Sequence, residues 1–253
     1  MINNLYNILS SKFDCIIVLN MSSRKDRRDM LEHQLAMLKL PKPNSCSFIR
    51  YNYATSFPYN DLIASSFVNT GKGRFTKANE YDCARNHYNI VKSSYDLGYE
   101  RVLILEDDIL FMKDTDKFIE YLNNMPADYD ILQFGGFTTD PKWTEYKNSS
   151  DELWLKHRDV GIWNCSMYAL SRKGMEYFIV FMDKIFCVAD MPLYKAPIND
   201  KIINTYISRE PVVIQADKNK VASDIRNATN DTIDYTTQNV YEHGINLNDY
   251  YGS

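Results

Sequence analysis

Short apolar runs alternate with amphipathic segments along most of the chain. The runs Cys15–Leu19 and Val102–Leu105 are each closed by polar residues, as is typical of buried strands in a parallel sheet. Strands are predicted at residues 15–19, 48–53, 102–105, 130–136, 163–170 and 212–215. Apolar residues recur at helical spacing after residues 23, 80, 114 and 171, so helices are predicted to begin near these positions. Predicted strands and helices therefore alternate along the chain. This order predicts an α/β fold with a mostly parallel central sheet.

The remaining segments lack a clear period. Residues 56–77 are predicted as a loop, in which Gly71–Arg74 forms a basic stretch without P-loop spacing. Residues 138–158 are predicted as an irregular insertion, and Asp190–Pro192 as an acid-containing turn. One domain over residues 1–226 is expected, followed by a loosely packed polar tail over residues 227–253.

Three consecutive carboxylates, Glu106, Asp107 and Asp108, follow the predicted strand 102–105 directly. Ligands of open α/β sheets bind at the carboxyl ends of strands, where this triplet would lie. Glu106 and Asp108 would share a face if strand geometry continued through them. Clustered carboxylates repel one another unless a positive group lies among them, and a divalent cation is one such group. The alternative is an acidic turn that is simply solvated.

A basic segment follows the first strand. Ser23 and Asp26 resemble a capping box, and Arg24, Lys25, Arg27 and Arg28 occupy the first turn of the predicted helix. Basic residues there oppose the helix dipole, and such a conflict is typical of a functional site. A nucleotide diphosphate would relieve it; a solvated basic helix face is the alternative.

Composition narrows the class of protein. The 253 residues carry a formal net charge of −4 with interspersed charges, so no basic surface for nucleic acid is indicated. No apolar stretch reaches the roughly 20 residues of a membrane span, and no signal-peptide layout is seen, so a cytoplasmic location is expected. Five cysteines without paired spacing argue against a disulfide framework. Oligomeric state and acceptor identity are not encoded in these patterns.

Five pieces in order resemble glycosyltransferase family 25, which includes lipooligosaccharide and procollagen galactosyltransferases. The pieces are residues 15–28, 80–87, 102–108, 130–135 and 167–174. The resemblance implies a GT-A, Rossmann-like fold and a nucleotide-sugar donor, usually UDP-linked. It also implies inverting transfer of a hexose, galactose or glucose, to a hydroxyl of a glycan or of a hydroxylysine-type protein side chain.

The family's motifs map onto this chain position by position. The resemblance assigns the donor to Asn20, Arg24, Arg27, Arg28, Glu80, His87 and Asp107, and a Mn²⁺ or Mg²⁺ ion to Glu106 and Asp108. Taken alone, an inward-facing helix histidine such as His87 is more often a core residue than a ligand or a base. Asp82 and Asn86 depart from the family, which more often has Gly and Ser there.

Inversion requires a base outside the metal cluster to accept the proton of the acceptor hydroxyl. Asp200, Asp190 and Asp224 are the candidates, in that order, although each is also readable as an ordinary turn or cap aspartate. Two other functions stay open: a catalytically silent protein that binds a glycan or a partner, and a nucleotidyltransferase using the same metal-diphosphate chemistry.

Overall fold

The computed structural model describes residues 4–58, 78–136, 138, 140–157, 159–184, 186–199, 202–216 and 249–251. Within these ranges the helices are α1 Asn4–Lys12, α2 Lys25–Met37, α3 Ala78–Asp96, α4 Thr115–Asn123, α5 Pro141–Asn148, α6 Arg172–Lys184 and α7 Met191–Asn199. The strands are β1 Cys15–Met21, β2 Ile49–Ala54, β3 Arg101–Glu106, β4 Ile109–Phe111, β5 Ile131–Gln133, β6 Trp154–Lys156, β7 Met167–Ser171, β8 Thr205–Ser208 and β9 Val213–Gln215.

Seven of the described strands form one sheet in the order β2-β1-β3-β7-β5-β8-β6. The β2-β1-β3 edge and the β5-β8 pair are parallel, whereas β7 and β6 run against their neighbours. Five of the seven strands therefore point the same way. The predicted α/β fold with a mostly parallel central sheet is confirmed.

Helices cover both faces of this sheet, because alternate residues of the central strands point to opposite sides. Leu103 and Leu105 of β3 face a core shared with α1, α2 and α4. Val102 and Ile104 face a second core shared with α3, α6 and α7. Each face buries a continuous apolar layer, and this explains the unbroken apolar runs of β1 and β3.

Helix starts agree with the sequence in two places and differ in a third. Asp114 accepts a hydrogen bond from the backbone N–H of Lys117 at 2.9 Å, as expected for the cap of α4. Ser171 likewise accepts from Gly174 N–H at the start of α6. The capping box predicted at Ser23 is wrong: α2 begins at Lys25, its N-cap is Arg24, and that residue makes no side-chain cap bond.

Several elements were not anticipated. The predicted turn Asp190–Pro192 instead leads into α7, where Pro192 lies in the first turn, which tolerates proline. The predicted insertion contains α5, capped by Asp140 and begun by Pro141, and also strand β6. Helix α1 precedes the first strand.

The second, smaller sheet pairs β4 with β9 in antiparallel register, with Ile109 opposite Gln215 and Phe111 opposite Val213. Tyr250 packs against this region, with its hydroxyl donating to the Pro211 carbonyl at 2.7 Å. Part of the segment predicted as a loose tail is therefore packed. The basic stretch Gly71–Arg74 lies outside the described residues. In the described part of the chain, every helix is too short or too polar to cross a bilayer.

Candidate functional site

The acidic triplet lies where two parallel strands end side by side. The register of β1 on β3 pairs Leu19 with Glu106, so Asn20 lies beside Asp107. The Asn20 side-chain amide donates to Asp107 Oδ2 at 2.6 Å, and both side chains are buried. The polar residues that close these two apolar runs therefore meet at one edge of the sheet.

Arg27 joins this edge from the first turn of α2. Its Nη1 lies 3.1 Å from Asp107 Oδ1 and 3.5 Å from Asp108 Oδ2, with only 9% of its side chain exposed. The position of Arg27 in the helix thus has a specific partner, because its guanidinium offsets two buried carboxylates. The conflict between this basic residue and the helix dipole is resolved by that pairing.

Within the triplet, Asp108 has one carboxylate oxygen that accepts no hydrogen bond from the described residues. This is the buried Oδ1, whereas Gln215 donates to Oδ2 at 3.3 Å. Burial raises the pKa of Asp108 to about 6, with repulsion from Glu106 adding to the effect and Arg27 opposing it. Burial also raises the pKa of Asp107, against the influence of Arg27 and Asn20.

Glu106 belongs to a different environment. Strand β3 ends at Glu106 and the next two residues form a turn, so the condition for Glu106 and Asp108 to share a strand face is not met. Glu106 keeps the face of Val102 and Ile104 and meets α3, where its Oε1 lies 3.3 Å from His87 Nε2. Burial alone would raise the pKa of Glu106, but the hydrogen bond and charge of His87 bring it below its ordinary value.

Two thiols complete the surroundings of Glu106. Cys83 Sγ lies 3.9 Å and Cys165 Sγ 3.6 Å from Glu106 Oε1. Burial, followed by the charge of Glu106, raises the pKa of both thiols well above the ordinary range. Both thiols therefore contact an ionisable group.

A cleft of about 130 Å³ opens between these environments. All three acids of the triplet line it, together with Leu19, Met21, Arg27, Ala54, Thr55, Ser56, Asn79, Asp82, Cys83, Asn86 and Gln215. The two residues that depart from the family pattern build one wall. Asn86 exchanges hydrogen bonds with the Thr55 backbone at 3.0 and 2.9 Å, and Asp82 Oδ1 accepts from Phe57 N–H at 2.8 Å.

The other predicted donor residues lie near the cleft but outside its lining. Arg24 forms an ion pair with Asp26 at 2.7 Å. Arg28 donates a hydrogen bond to Asn20 Oδ1 at 3.4 Å and so helps to hold the Asn20 side chain in place. Glu80 is buried in the first turn of α3. The assignment of Arg24, Arg28 and Glu80 to the donor stays a prediction.

Of the candidate bases, Asp190 is described, whereas Asp200 and Asp224 lie outside the described residues. Asp190 precedes α7, and burial raises its pKa to about 6 although backbone N–H groups, foremost that of Asn164, oppose the rise. The charges of Glu106 and His87 also act on it. Its chain neighbours Ala189 and Met191 pack in the same core as Cys165.

Sequence reasoning missed Gln215 and Cys165 as neighbours of the acids. Gln215 is 107 residues from Asp108 along the chain, and its contact arises from the β4–β9 pairing. Cys165 lies just before β7, which runs antiparallel beside β3. No local spacing signals either contact, since both depend on strand order.

Two curated relatives match this chain over much of its length. Procollagen galactosyltransferase 2 of Mus musculus and of Homo sapiens are each 24% identical over 181 residues, covering 66% of this chain and 27% of the relative. The matched region thus spans about a quarter of those proteins. Similar structures include a glycosyltransferase involved in glycosylation of the PBCV-1 major capsid, with 11% identity, a TM-score of 0.33, and 67% of this chain and 68% of that chain covered.

Two further structures share similarity at this level. Mannose-1-phosphate geranyltransferase from Thermus thermophilus has 14% identity and a TM-score of 0.41, covering 77% of this chain and 73% of that chain. Mouse xyloside xylosyltransferase 1 has 8% identity and a TM-score of 0.34, covering 72% and 79%. The family model for glycosyltransferase family 25 (LPS biosynthesis protein) matches residues 13–193. The chain belongs to glycosyltransferase family 25.

Proposed function

We propose that this protein transfers a hexose from a UDP-sugar to a hydroxyl of a glycan or protein acceptor, with a divalent cation and with inversion. The observation that carries the proposal is Asp108, a buried carboxylate in a cleft that also contains Arg27. Family membership supports a nucleotide-sugar donor. The names of the mouse and human relatives support galactose as the hexose and a protein as one acceptor class.

The residues present fit a hard divalent cation. Asp108 Oδ1 is buried without a hydrogen-bond donor among the described residues, although a buried carboxylate oxygen normally has one. Carboxylate oxygens suit Mn²⁺ and Mg²⁺. Asp108 would hold the ion. Glu106, the other predicted ligand, lines the same cleft. When bound, the ion would supply positive charge against the negative charge that develops on the departing diphosphate.

The neighbouring residues position Asp108 and provide charge. Arg27 lies within 3.5 Å of both Asp107 and Asp108, so it fixes the two carboxylates relative to each other. Asn20 anchors Asp107 from the end of β1. We infer that the guanidinium of Arg27 also stabilises the anionic leaving group, because preorganised positive groups stabilise charge that appears in the transition state.

We infer that the base is one of the three predicted aspartates, Asp200, Asp190 and Asp224, of which Asp190 lies in the described part of the chain. In the transfer step the acceptor oxygen bonds to the anomeric carbon, the bond from that carbon to the diphosphate breaks, and the hydroxyl proton passes to a carboxylate. A base with a pKa of about 6, such as Asp190, is mostly ionised at neutral pH and still accepts a proton effectively.

Thermal denaturation with UDP and Mn²⁺ tests the proposal. We expect the two together to raise the melting temperature of the full chain, and Asp108→Asn to remove most of the rise. Asp116→Asn, at an exposed position on α4, is the matched control and should keep the full rise. An unchanged melting temperature of the wild-type chain would refute the proposed donor site.

Donor hydrolysis separates the proposed transferase from a silent binding protein. Slow metal-dependent release of UDP from UDP-galactose or UDP-glucose is expected from the transferase and should fall in Asp108→Asn. Binding of UDP and Mn²⁺ without any release from either donor would favour the silent alternative. Pyrophosphate release from a nucleoside triphosphate would instead favour a nucleotidyltransferase.

A further inference from the structure

The Glu106 side of the site has a different chemistry from the Asp108 side. Cys83 and His87 are four residues apart on α3, so their side chains lie on one helix face directed at the end of β3. The donor atoms of Cys83, His87 and Glu106 all lie within 4.8 Å of one another. This triad offers sulfur, nitrogen and oxygen, whereas the pair Asp107 and Asp108 offers oxygen alone.

A fourth donor atom lies beside the triad. Cys165 Sγ is 3.7 Å from His87 Nε2 and 3.6 Å from Glu106 Oε1, and those two atoms are 3.3 Å apart. Tetrahedral zinc, with bonds of about 2.3 Å to sulfur and about 2.0 Å to nitrogen or oxygen, places neighbouring ligand atoms roughly 3.3 to 3.8 Å apart. The separations among Cys165, His87 and Glu106 match that spacing, and Cys83 Sγ lies slightly farther away, 3.9 Å from Glu106 Oε1.

The histidine is also oriented as a metal ligand usually is. Its Nδ1 lies 2.9 Å from the hydroxyl of Tyr168, and both residues are fully buried. That contact fixes the ring so that Nε2 faces Glu106 and the thiols. Histidines bound to metals almost always use their second ring nitrogen in such a contact, which fixes the tautomer and the ring plane.

We propose that Cys83, His87 and Glu106 form a zinc-type metal site, with Cys165 as the fourth ligand. The site is distinct from the cation proposed at Asp108 and does not rest on the proposed function. Cys83 and Glu106 line the cleft, which provides a route for the ion. Binding of the ion as proposed releases the thiol protons of both cysteines and leaves the two sulfurs bound to the metal as thiolates.

Occupation of this site changes the role of Glu106. A carboxylate bound to zinc beside His87 is held on the α3 side of the cleft, leaving Asp108 as the protein ligand of the donor cation. The two ions would also differ in kind, because thiolate and imidazole select zinc while carboxylate oxygens select magnesium or manganese. The ion would thereby tie α3 to the end of β3 at the base of the cleft.

Cobalt titration of the full chain, after removal of metals with a chelator, tests this site. We expect Co²⁺ to bind with one ion per chain, to produce a thiolate-to-cobalt charge-transfer band, and to be displaced by Zn²⁺. Cys83→Ser should remove most of the band, and His87→Gln should weaken binding at least about tenfold. Tyr168→Phe should weaken it by about tenfold, the lower end for loss of such a supporting contact.

Two controls keep the test decisive. Cys46→Ser removes a thiol remote from α3 and should leave the band intact. Asp108→Asn should also leave it intact while removing the UDP and Mn²⁺ effect, so failure of one site is distinguishable from failure of the other. Absence of the band in the wild-type chain, or its loss in Cys46→Ser alone, would overturn the proposal. Circular dichroism of each variant separates loss of ligand from loss of fold.

Discussion

At the carboxyl end of β3, Glu106 and the next two residues, Asp107 and Asp108, have chemically different partners although they are consecutive in sequence. Asp107 and Asp108 meet the Arg27 guanidinium and the Asn20 amide, which are hard, permanently polar groups. Glu106 meets an imidazole and two thiols, whose charge depends on protonation. Because β3 stops at Glu106 and a turn follows, the acidic triplet divides between two environments. Consecutive acids in a sequence therefore need not act as one site.

Removal of Arg27 should produce the largest effect, on the Asp107 and Asp108 side. Arg27→Met leaves two buried carboxylates without their cation, and breaking a buried ion pair costs about 3–5 kcal/mol. Urea denaturation measures the loss in the free energy of unfolding. Lys25→Met is the matched control on the same helix, because Lys25 is 73% exposed and should change stability by less than about 0.5 kcal/mol. Equal effects of the two variants would show that the buried ion pairs of Arg27 contribute nothing to the free energy of unfolding.

Removal of His87 should produce the next largest effect, on the Glu106 side. His87→Leu removes the imidazole that contacts both the Glu106 carboxylate and the Tyr168 hydroxyl, which costs about 1–3 kcal/mol and raises the pKa of Glu106. The loss should show in urea denaturation of the metal-depleted chain. His33→Leu, on the exposed face of α2, should be close to neutral. A loss as large as that of Arg27→Met would mean that the two sides are equally dependent on charge.

Neutralising Asp108 should stabilise the metal-depleted protein. Because folding raises the pKa of Asp108 from 3.8 to about 6, its contribution to stability is fully present below pH 3.8 and is lost as the pH rises through about 6. At neutral pH, Asp108→Asn is therefore expected to add up to about 3 kcal/mol to the free energy of unfolding.

The same variant should flatten the dependence of stability on pH between about pH 4 and about pH 6, where the folded protein binds a proton at Asp108 that the unfolded chain does not. Urea denaturation at several pH values across that range measures the free energy of unfolding and its dependence on pH. Some dependence should remain, because burial raises the pKa of Asp190 to about 6 as well. Destabilisation by Asp108→Asn at neutral pH would show that Arg27 outweighs burial at this carboxylate.

The smallest effect is expected from the loss of the Tyr168 hydroxyl, which contacts His87. Tyr168→Phe removes one buried hydroxyl next to His87 Nδ1 and should lower the free energy of unfolding by about 1 kcal/mol. Urea denaturation without metal measures this term separately from cobalt affinity. A stabilised variant would mean that the hydroxyl is poorly satisfied in the native protein.

Strand identity was largely readable from the sequence, because β1 and β3 bury both faces and therefore appear as unbroken apolar runs. The contact between Asn20 and Asp107 was not predicted, although both residues lie at the carboxyl ends of strands that pair in parallel. Helix α7 was missed because Pro192 and Pro197 resemble turn residues, although burial of Leu193 and Ala196 stabilises the helix.

The division of the triplet was not predictable in the same way. It depends on where β3 stops, and strand ends are set by pairing with neighbours rather than by local preference. Cys165 reaches Glu106 only because β7 lies antiparallel beside β3, a relation that spacing along the chain does not encode. The contact of Asp108 with Gln215 likewise depends on β9, beyond the family match that ends at residue 193.

The pairing of β4 with β9 has a consequence for biosynthesis. The backbone carbonyl of Asp108 accepts a hydrogen bond from Ala216 N–H at 2.7 Å, so the far end of the described domain holds the turn that carries this acid. A ribosome delivers residues 15–106 long before residue 216, and the early strands can pair while Asp108 still lacks its restraint. In nascent chains stalled before residue 216, the early strands should therefore be paired while the turn at Asp107 and Asp108 lacks its hydrogen bond from Ala216.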